Sequence, residues 1–193
     1  MDCVYFLVDA DDAASAHLAE RSGFRLMDFR VELRQEPDAT ANAPQLRSAR
    51  ADDRDRLREI ARTSHGTTRF YADPRFSDER CGELYETWIE RSLDGWAAAV
   101  LVAERDGVPA GYCSCHVDGE EGSIGLIAVD STLRRSGVGL ELATSAVAWC
   151  AAGGARTMSV VTQGRNVAAL RTFQRAGFLV SSVQLWFHKW YDE

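Results

Sequence analysis

The segment RRSGVG at positions 134–139 combines two arginines with two glycines where an apolar strand is expected to give way to a helix. Glycine costs about 0.5–1 kcal/mol relative to alanine inside a helix or strand, so its presence twice indicates a requirement other than stability. Backbone N–H groups at a glycine-containing turn that opens a helix form an anion site, helped by the helix dipole. Gly137 and Gly139 let phosphate oxygens reach the main chain, while Arg134 and Arg135 can add charge-assisted hydrogen bonds. We therefore predict that this segment binds a pyrophosphate.

A second group of candidate side chains lies on a predicted strand. Cys113 and Cys115 share one side of that strand and His116 lies on the other, and no second ligand pair at metal spacing accompanies them, so we predict no metal site. The chain also lacks a Gly-x-Ser-x-Gly segment and a nucleophile–base pair, which favours direct attack by a substrate over a covalent intermediate. The candidates for a general base are His116 and His65.

Composition and charge narrow the class of protein. With 193 residues, of which 46% are hydrophobic, the chain is large enough to bury a core of its own. The formal net charge of −7 argues against nucleic acid as a partner, because binding it requires clustered basic residues. Five cysteines in no disulfide spacing, without a secretory signal, predict a cytoplasmic protein. The apolar opening CVYFLV is too short to span a bilayer and predicts a buried strand, so no membrane partner is expected.

An internal repeat joins the two ends of the chain. An offset of 154 residues places Gly23 and Phe24 over Gly177 and Phe178 and aligns VYFLVDADDAASAHLAERSGFRLMDFRVEL with MSVVTQGRNVAALRTFQRAGFLVSSVQLWF without a gap. Both copies predict a strand, an amphipathic helix that ends at glycine, and a second strand. If the repeat is real, residues 1–35 are an incomplete copy of a unit that recurs near the C-terminus.

The chain divides at a polar segment rich in proline and alanine. This segment, RQEPDATANAP, has no hydrophobic period and predicts a linker. We therefore expect an N-terminal β-α-β segment at residues 1–35, a linker at residues 36–44 and a main domain at residues 45–193.

The pattern of the main domain predicts the order β-α-α-β-β-β-α-β-α-β. Asp52 or Asp53 caps its first helix, Ser77 caps the second, and Asp106-Gly107 predicts a hairpin turn. Such an order describes an α/β fold, with a mixed central sheet and helices on both faces.

Two motifs of the main domain resemble those of the Gcn5-related N-acetyltransferase (GNAT) family. The segment LIAVDSTLRRSGVGLELATSAVAWC is similar to the family's strand, R/Q-x-x-G-x-G/A loop and helix, and NVAALRTFQRAGF to its later Asn-x-x-Ala-x-x-x-aromatic-x-x-x-Gly-Phe helix. Both stand in the family's order, and the resemblance covers residues 45–193. It implies the GNAT fold, an acetyl-CoA-dependent N-acetyltransferase, and a partial second GNAT-like unit ahead of it.

The resemblance also implies which residues bind acetyl-CoA as the co-substrate. The pyrophosphate would lie on the loop at positions 134–139 and the pantetheine arm beside the main chain of the preceding strand. Asn166 would approach the pantetheine, although it is equally suited to cap a helix. The implied residues are Ile127, Ala128, Val129, Arg134, Arg135, Ser136, Gly137, Val138, Gly139, Asn166 and Phe173.

Phe173 departs from the commonest family pattern, in which a tyrosine protonates the departing thiolate. A phenyl ring cannot donate a proton, so another group or a water must do so. The phenols at hand are Tyr112, Tyr71 and Tyr85. Tyr112 joins His116 as a candidate catalytic residue.

A closer resemblance, to family members that acetylate sugar nucleotides, rests on TRFYADPRFSDERCGELYETWIERSL at positions 68–93. It implies that Arg69, Phe70 and Tyr71 contact the substrate, because aromatic rings can stack on a sugar or base and arginine can hold a diphosphate. We expect residues 65–76 to form an exposed loop that carries these contacts.

These observations predict an enzyme that transfers acetyl from acetyl-CoA to a primary amine of a small molecule, with an amino-sugar nucleotide as the candidate, by direct attack in a ternary complex. Two alternatives stay open: acetylation of another small amine or a protein N-terminus, and a non-catalytic acyl-CoA-binding module. The second is favoured by Phe173 and by the unassigned base. The identity of the acceptor and a homo-oligomeric state are also left open.

Overall fold

A computed structural model of the protein describes residues 2–37 and 43–191, and within them the chain forms eight strands and six α-helices. The strands are β1 (Asp2–Asp9), β2 (Arg25–Gln35), β3 (Arg47–Ser48), β4 (Ala99–Arg105), β5 (Val108–Asp118), β6 (Glu121–Val129), β7 (Thr157–Gln163) and β8 (Leu179–Tyr191). The helices are α1 (Ala13–Arg21), α2 (Arg54–Ser64), α3 (Arg69–Ala72), α4 (Asp78–Arg91), α5 (Val138–Ala152) and α6 (Val167–Arg175). No helix in these ranges is both long and apolar enough to cross a lipid bilayer.

Local sequence signals set most of these boundaries. Ser77 Oγ accepts a hydrogen bond from the N–H of Arg80 at 3.4 Å and so caps α4. Asp106 and Gly107 have φ of 53° and 76°, the left-handed pair that a two-residue hairpin requires, and they join β4 to β5. The predicted order of elements in the main domain is therefore confirmed, with the short α3 as an addition.

All eight strands form one mixed sheet, in the order β1–β8–β2–β7–β6–β5–β4–β3. Side chains of β4 alternate between two cores, as expected from the two-residue period of a strand. Val100 and Val102 pack with α2 and α4, whereas Leu101 and Ala103 pack with α5 and Phe173 of α6. The prediction of a mixed sheet with helices on both faces is thereby confirmed.

The N-terminal segment supplies a strand to the interior of this sheet. β2 lies between β7 and β8 and pairs antiparallel with both, and β1 pairs with the far side of β8. On β2, Leu33 is fully buried in the larger core and Val31 is 6% exposed. β7 and β8 do not pair with each other, and β2 connects them. The N-terminal segment that contains β2 is therefore part of the same folded body.

The elements of the two repeat copies coincide. The bounds of α1 and α6 differ by 154 residues at both ends, and the guanidinium of Arg30 donates to the side-chain oxygen of Gln184, also 154 residues away, at 2.7 Å. The β1–β8 and β2–β7 ladders have equivalent registers. That the first copy derives from a second acetyltransferase domain stays a proposal, and residues 38–42 of the expected linker lie outside the described residues.

The segment expected to form an exposed loop at residues 65–76 is partly ordered and buried, so that expectation is wrong for its centre. Residues Arg69–Ala72 form α3, and Asp73 is only 2% exposed. The cause is a set of hydrogen bonds to Asp73, which accepts from the indole N–H of Trp190 at 2.9 Å and contacts His188 at 2.7 Å. These bonds tie the segment to β8.

The position of β2 leads to a stability prediction with a matched control on the same strand. Leu33→Ala removes a fully buried side chain and should lower the free energy of unfolding by about 2–5 kcal/mol. Leu26→Ala, at a side chain that is 44% exposed, should change it by no more than about 0.5 kcal/mol. Chemical denaturation measures both, and equal effects would contradict an interior role for β2.

Candidate active site

A gap opens between β6 and β7 halfway along the two strands. The parallel pairing ends at Ile124 opposite Val160. At this point Gly125 and Leu126 of β6 together face Ser114 of β5, which makes a β-bulge, and Ser114 Oγ accepts the Leu126 N–H at 2.8 Å. Beyond the bulge β6 stays paired with β5, while its other edge pairs with no described strand.

Three residues predicted to bind the cofactor form the wall of this gap. Ile127, Ala128 and Val129 follow the bulge directly. The N–H and C=O groups of a strand alternate between its two edges, so those of Ile127 and Val129 face the side that β7 has left, whereas those of Ala128 face β5. The carbonyl of Val129 also accepts from Ser64 Oγ at 3.1 Å, which fixes the end of α2 beside the gap.

The glycine-containing loop stands at the end of β6 and opens α5. Arg135 and Gly137 have positive φ of 66° and 90°, so two left-handed residues turn the chain into the helix. Gly137 provides no side-chain cap, and the N–H groups of Val138 and Gly139 donate to no described residue. Arg134 and Arg135 are exposed and form no ion pair within the described ranges. The loop thus presents unpaired donors and positive charge together.

The two glycines of this loop have different structural reasons. Gly137 needs its positive φ, so any side chain there is strained. Gly139 is helical, and a Cβ at that position would lie 3.7 Å from Thr172 Cγ2 and 3.8 Å from Val129 Cγ2, which is ordinary contact. No contact among the described residues therefore requires glycine at position 139.

Asn166 and Phe173 both have structural roles on α6. Asn166 Oδ1 accepts the N–H of Ala169 at 3.2 Å, so the capping interpretation is correct. Phe173 is 2% exposed in the larger core and meets Phe178 edge to face at 6.0 Å. A ligand could reach little more than the edge of its ring, and contact with acetyl-CoA stays a prediction for both residues.

Of the catalytic candidates, His116 lies at the bulge. A Cβ built on Gly125 would stand 2.4 Å from His116 Nε2, so the imidazole covers the exposed glycine where β6 and β7 part. The ring is half-buried and packs against Trp96, with the two ring centroids 5.3 Å apart. Burial lowers the pKa of His116, partly offset by a hydrogen bond with the Trp96 backbone. Its imidazole is therefore neutral at neutral pH and able to accept a proton.

Tyr112 and His65 form a second pair of candidates, farther along the sheet. Tyr112 is fully buried, its hydroxyl lies 3.4 Å from His65 Nε2, and burial raises its pKa strongly. His65 stacks on Tyr85 with ring centroids 4.2 Å apart, and burial lowers the pKa of His65 to about 4. Since Tyr112 has no exposed surface, it holds its proton away from any ligand in this conformation.

The three predicted substrate residues have distinct environments on α3. Phe70 and Tyr71 are partly buried and pack against the smaller core under α2 and α4. The Tyr71 hydroxyl donates to the carbonyl of Arg62 at 3.4 Å. The guanidinium of Arg69 instead lies among the aromatic rings of Tyr5, Phe70 and Trp186. The sequence did not predict Tyr5 on β1 or Trp186 on β8 at this place. Only the pairing of β1 with β8 in the folded sheet shows that these two residues lie near Arg69.

Comparison with known proteins identifies relatives of this chain. A family model described as the acetyltransferase (GNAT) family matches residues 55–178. The spore coat polysaccharide biosynthesis protein SpsD of Bacillus subtilis is 25% identical over 193 residues, and a dTDP-fucosamine acetyltransferase of Escherichia coli is 26% identical over 185 residues. The expected resemblance to an enzyme that acetylates a sugar nucleotide is thereby confirmed.

A solved structure shares the fold. A GCN5-related N-acetyltransferase from Sphaerobacter thermophilus superposes with a TM-score of 0.69 at 20% identity, over 97% of this chain and 59% of that one. The SpsD match covers 98% of this chain and 67% of that protein, and the dTDP-fucosamine acetyltransferase match covers 94% and 79%. The chain therefore spans about three fifths to four fifths of the length of these proteins.

The partly buried His65 leads to a pH prediction. An unfolded histidine binds a proton near pH 6.5, whereas folded His65 does so only near pH 4, so the unfolded state takes up more protons between these values. The free energy of unfolding should consequently fall as the pH is lowered from 6.5 to 4. Denaturation curves of a His65→Gln variant should show a shallower fall.

The exposed His17 on α1 provides the control, through His17→Gln. If the His65→Gln and wild-type proteins lost stability in parallel over this range, His65 would not be held neutral by burial.

Proposed function

The chain belongs to the acetyltransferase (GNAT) family, and on this premise we propose that it transfers the acetyl group of acetyl-CoA to a primary amine of an amino-sugar nucleotide. The acceptor class rests on similarity to a dTDP-fucosamine acetyltransferase and to a spore coat polysaccharide biosynthesis protein. Both substrates bind together, and the amine attacks directly.

The observation that carries the proposal is the pair of N–H groups of Val138 and Gly139, which donate to no described residue and lie at the start of α5, at the end of the gap between β6 and β7. Residues 135–139 would hold the pyrophosphate with main-chain donors and with Arg135. The main chain of Ile127 and Val129 would pair with the pantetheine arm as a neighbouring strand would. A ligand that runs from the loop past Val129 to Ile127 would place its thioester near the bulge at Gly125 and Leu126.

The chemistry needs an amine, a thioester and a base. The amine nitrogen attacks the thioester carbon, an amide C–N bond forms, the C–S bond breaks, and coenzyme A leaves as a thiolate. His116 is the proposed base, because its neutral imidazole covers Gly125 at the bulge and can take the proton that the amine loses.

The thiolate requires no tyrosine at position 173. Free thiols have a pKa of about 8.5, so a thiolate released at neutral pH can take its proton from water or from the imidazolium of His116. Phe173, buried in the core, would then serve packing alone.

Gly139 gives a test of the cofactor site that is independent of the acceptor. Gly139→Ala introduces a methyl group that the folded chain accommodates, so stability should be unchanged or rise by up to about 1 kcal/mol. The same methyl group would stand beside the N–H groups proposed to bind the phosphate, so affinity for acetyl-CoA should fall about 10-fold, or about 1.4 kcal/mol. Calorimetric titration and thermal unfolding of the same variant measure both effects.

Gly66→Ala is the matched control, because a Cβ there meets nothing within 4 Å and the site lies outside the loop. Unchanged acetyl-CoA affinity in a folded Gly139→Ala protein would contradict the cofactor site. Gly137 is unsuitable for this test because its positive φ makes every substitution strained.

The acceptor class and the base are tested by release of free thiol. Incubation with acetyl-CoA and a panel of amino-sugar nucleotides, simple amines and peptides should show amine-dependent release above hydrolysis with the sugar nucleotides. His116→Gln should then lower kcat by about 10²–10⁴-fold and leave the KM for acetyl-CoA within about threefold. Release that never exceeds hydrolysis would favour a module that binds acyl-CoA without turnover. Full turnover in His116→Gln would exclude His116 as the base.

A further inference from the structure

We infer that Arg69 forms an anion subsite for a phosphate group of the acceptor, built from three separate segments of the chain: β1, α3 with the residues after it, and β8. This inference rests on the proposed function for the identity of the ligand as an acceptor. The binding site itself rests on the contacts of Arg69.

The guanidinium of Arg69 is enclosed by three aromatic rings. Its central carbon lies 4.2 Å from the ring centroids of Tyr5 on β1, of Phe70 on α3 and of Trp186 on β8. A ring face attracts a positive charge and blocks other partners on its side. The three rings therefore restrict the directions from which a partner can approach the guanidinium.

A buried pair fixes the in-plane orientation. Asp73 Oδ2 lies 2.7 Å from His188 Nδ1, and both residues are at most 2% exposed. A proton on Nδ1 leaves the lone pair of Nε2 free, and Arg69 donates to that nitrogen through Nη1 at 2.8 Å. Trp190 and the backbone N–H of Arg75 bond the same carboxylate, so Asp73 is held in place too.

The remaining nitrogens of Arg69 have no acceptor among the described residues. Arg69 forms no ion pair there and none of its nitrogens is sealed from solvent without a partner. Burial lowers the pKa of Arg69, which shows that the charge is partly desolvated. The charge of Asp28 acts on Arg69, but no described carboxylate contacts the guanidinium, so a bidentate anion at the open edge would add the direct partner that it lacks.

The cluster also contains Cys3, whose sulfur lies within 4.8 Å of ligand atoms of Asp73 and His188, but a metal ion does not fit it. Both nitrogens of His188 and both carboxylate oxygens of Asp73 are already engaged. A cation there would also lie beside the positive charge of Arg69. The geometry of the cluster favours an anion over a cation.

The location suits an acceptor. α5 and α6 cover one face of the sheet, and their side would hold the phosphates of the cofactor. Arg69 lies on the opposite face, which it shares with α2, α4 and the ring of His65. An amine substrate reaching the gap from that face would pass Arg69.

The test uses inorganic pyrophosphate as the probe and NMR signals of the Trp190 indole N–H and the His188 ring as local reporters. Titration of the folded protein should shift both signals with saturation. Arg69→Gln should weaken this binding at least 10-fold, while Arg135→Gln, which alters the cofactor loop, should leave it within twofold. Arg175→Gln removes one positive charge at an exposed position of α6 and so controls for the change in net charge.

Two variants of His188 separate its role in orienting Arg69 from its role in packing. His188→Gln keeps an acceptor for Arg69 and should bind pyrophosphate within about threefold of the wild type, whereas His188→Leu should resemble Arg69→Gln. If the leucine variant fails to fold, the half-buried Arg69→Gln still decides the matter.

The outcomes distinguish failure of the anion subsite from failure of the proposed function. Absence of saturable shifts in the folded wild type, or shifts that persist in Arg69→Gln, would overturn the anion subsite. Saturable pyrophosphate binding that depends on Arg69, in a protein that releases no thiol with any amine, would support the subsite and count against the proposed enzyme.

Discussion

The double pairing of β2, with β7 on one side and β8 on the other, is the constraint on which the rest of the structure depends. β7 supplies one wall of the gap in the sheet, and β8 supplies Trp186 and His188 on the opposite face. A strand that comes from the N-terminal segment joins them, so this segment links the proposed cofactor side to the proposed acceptor side. The contact between Arg30 and Gln184 lies where the two repeat copies meet, and it ties equivalent positions of both copies together.

The gap arises because the regular pairing of β6 is interrupted at one position. The bulge at Gly125 and Leu126 ends the pairing of β6 with β7, and the side chain of Ser114 replaces a ladder hydrogen bond. A few residues on, α5 begins without a capping side chain and with a glycine at position 139 that packing does not demand. Each departure costs some stability, and the departures coincide where a ligand would bind.

Burial sets the protonation of the polar groups around this region. His65 and His116 stay neutral because their rings are shielded, whereas Asp73 keeps its charge because hydrogen bonds lower its pKa against the effect of burial. Arg69 lies between aromatic rings and forms no ion pair with a carboxylate of residues 2–37 or 43–191. The face of the sheet opposite α5 thus combines neutral proton acceptors with one oriented cation, a pairing suited to an acceptor that carries both an amine and an anion.

The sequence by itself determined the order of elements, the cap of α4 at Ser77 and the hairpin turn at Asp106 and Gly107, because these depend on hydrophobic period and on residues acting over a few positions. It also identified the family. The tertiary structure alone decided that β2 lies between β7 and β8, that the centre of the segment at residues 65–76 is folded against β8, and that Tyr5, Trp186 and His188 surround Arg69. Those contacts join residues far apart in the chain, and pairing between distant strands leaves no periodic mark on either strand from which its partner could be identified.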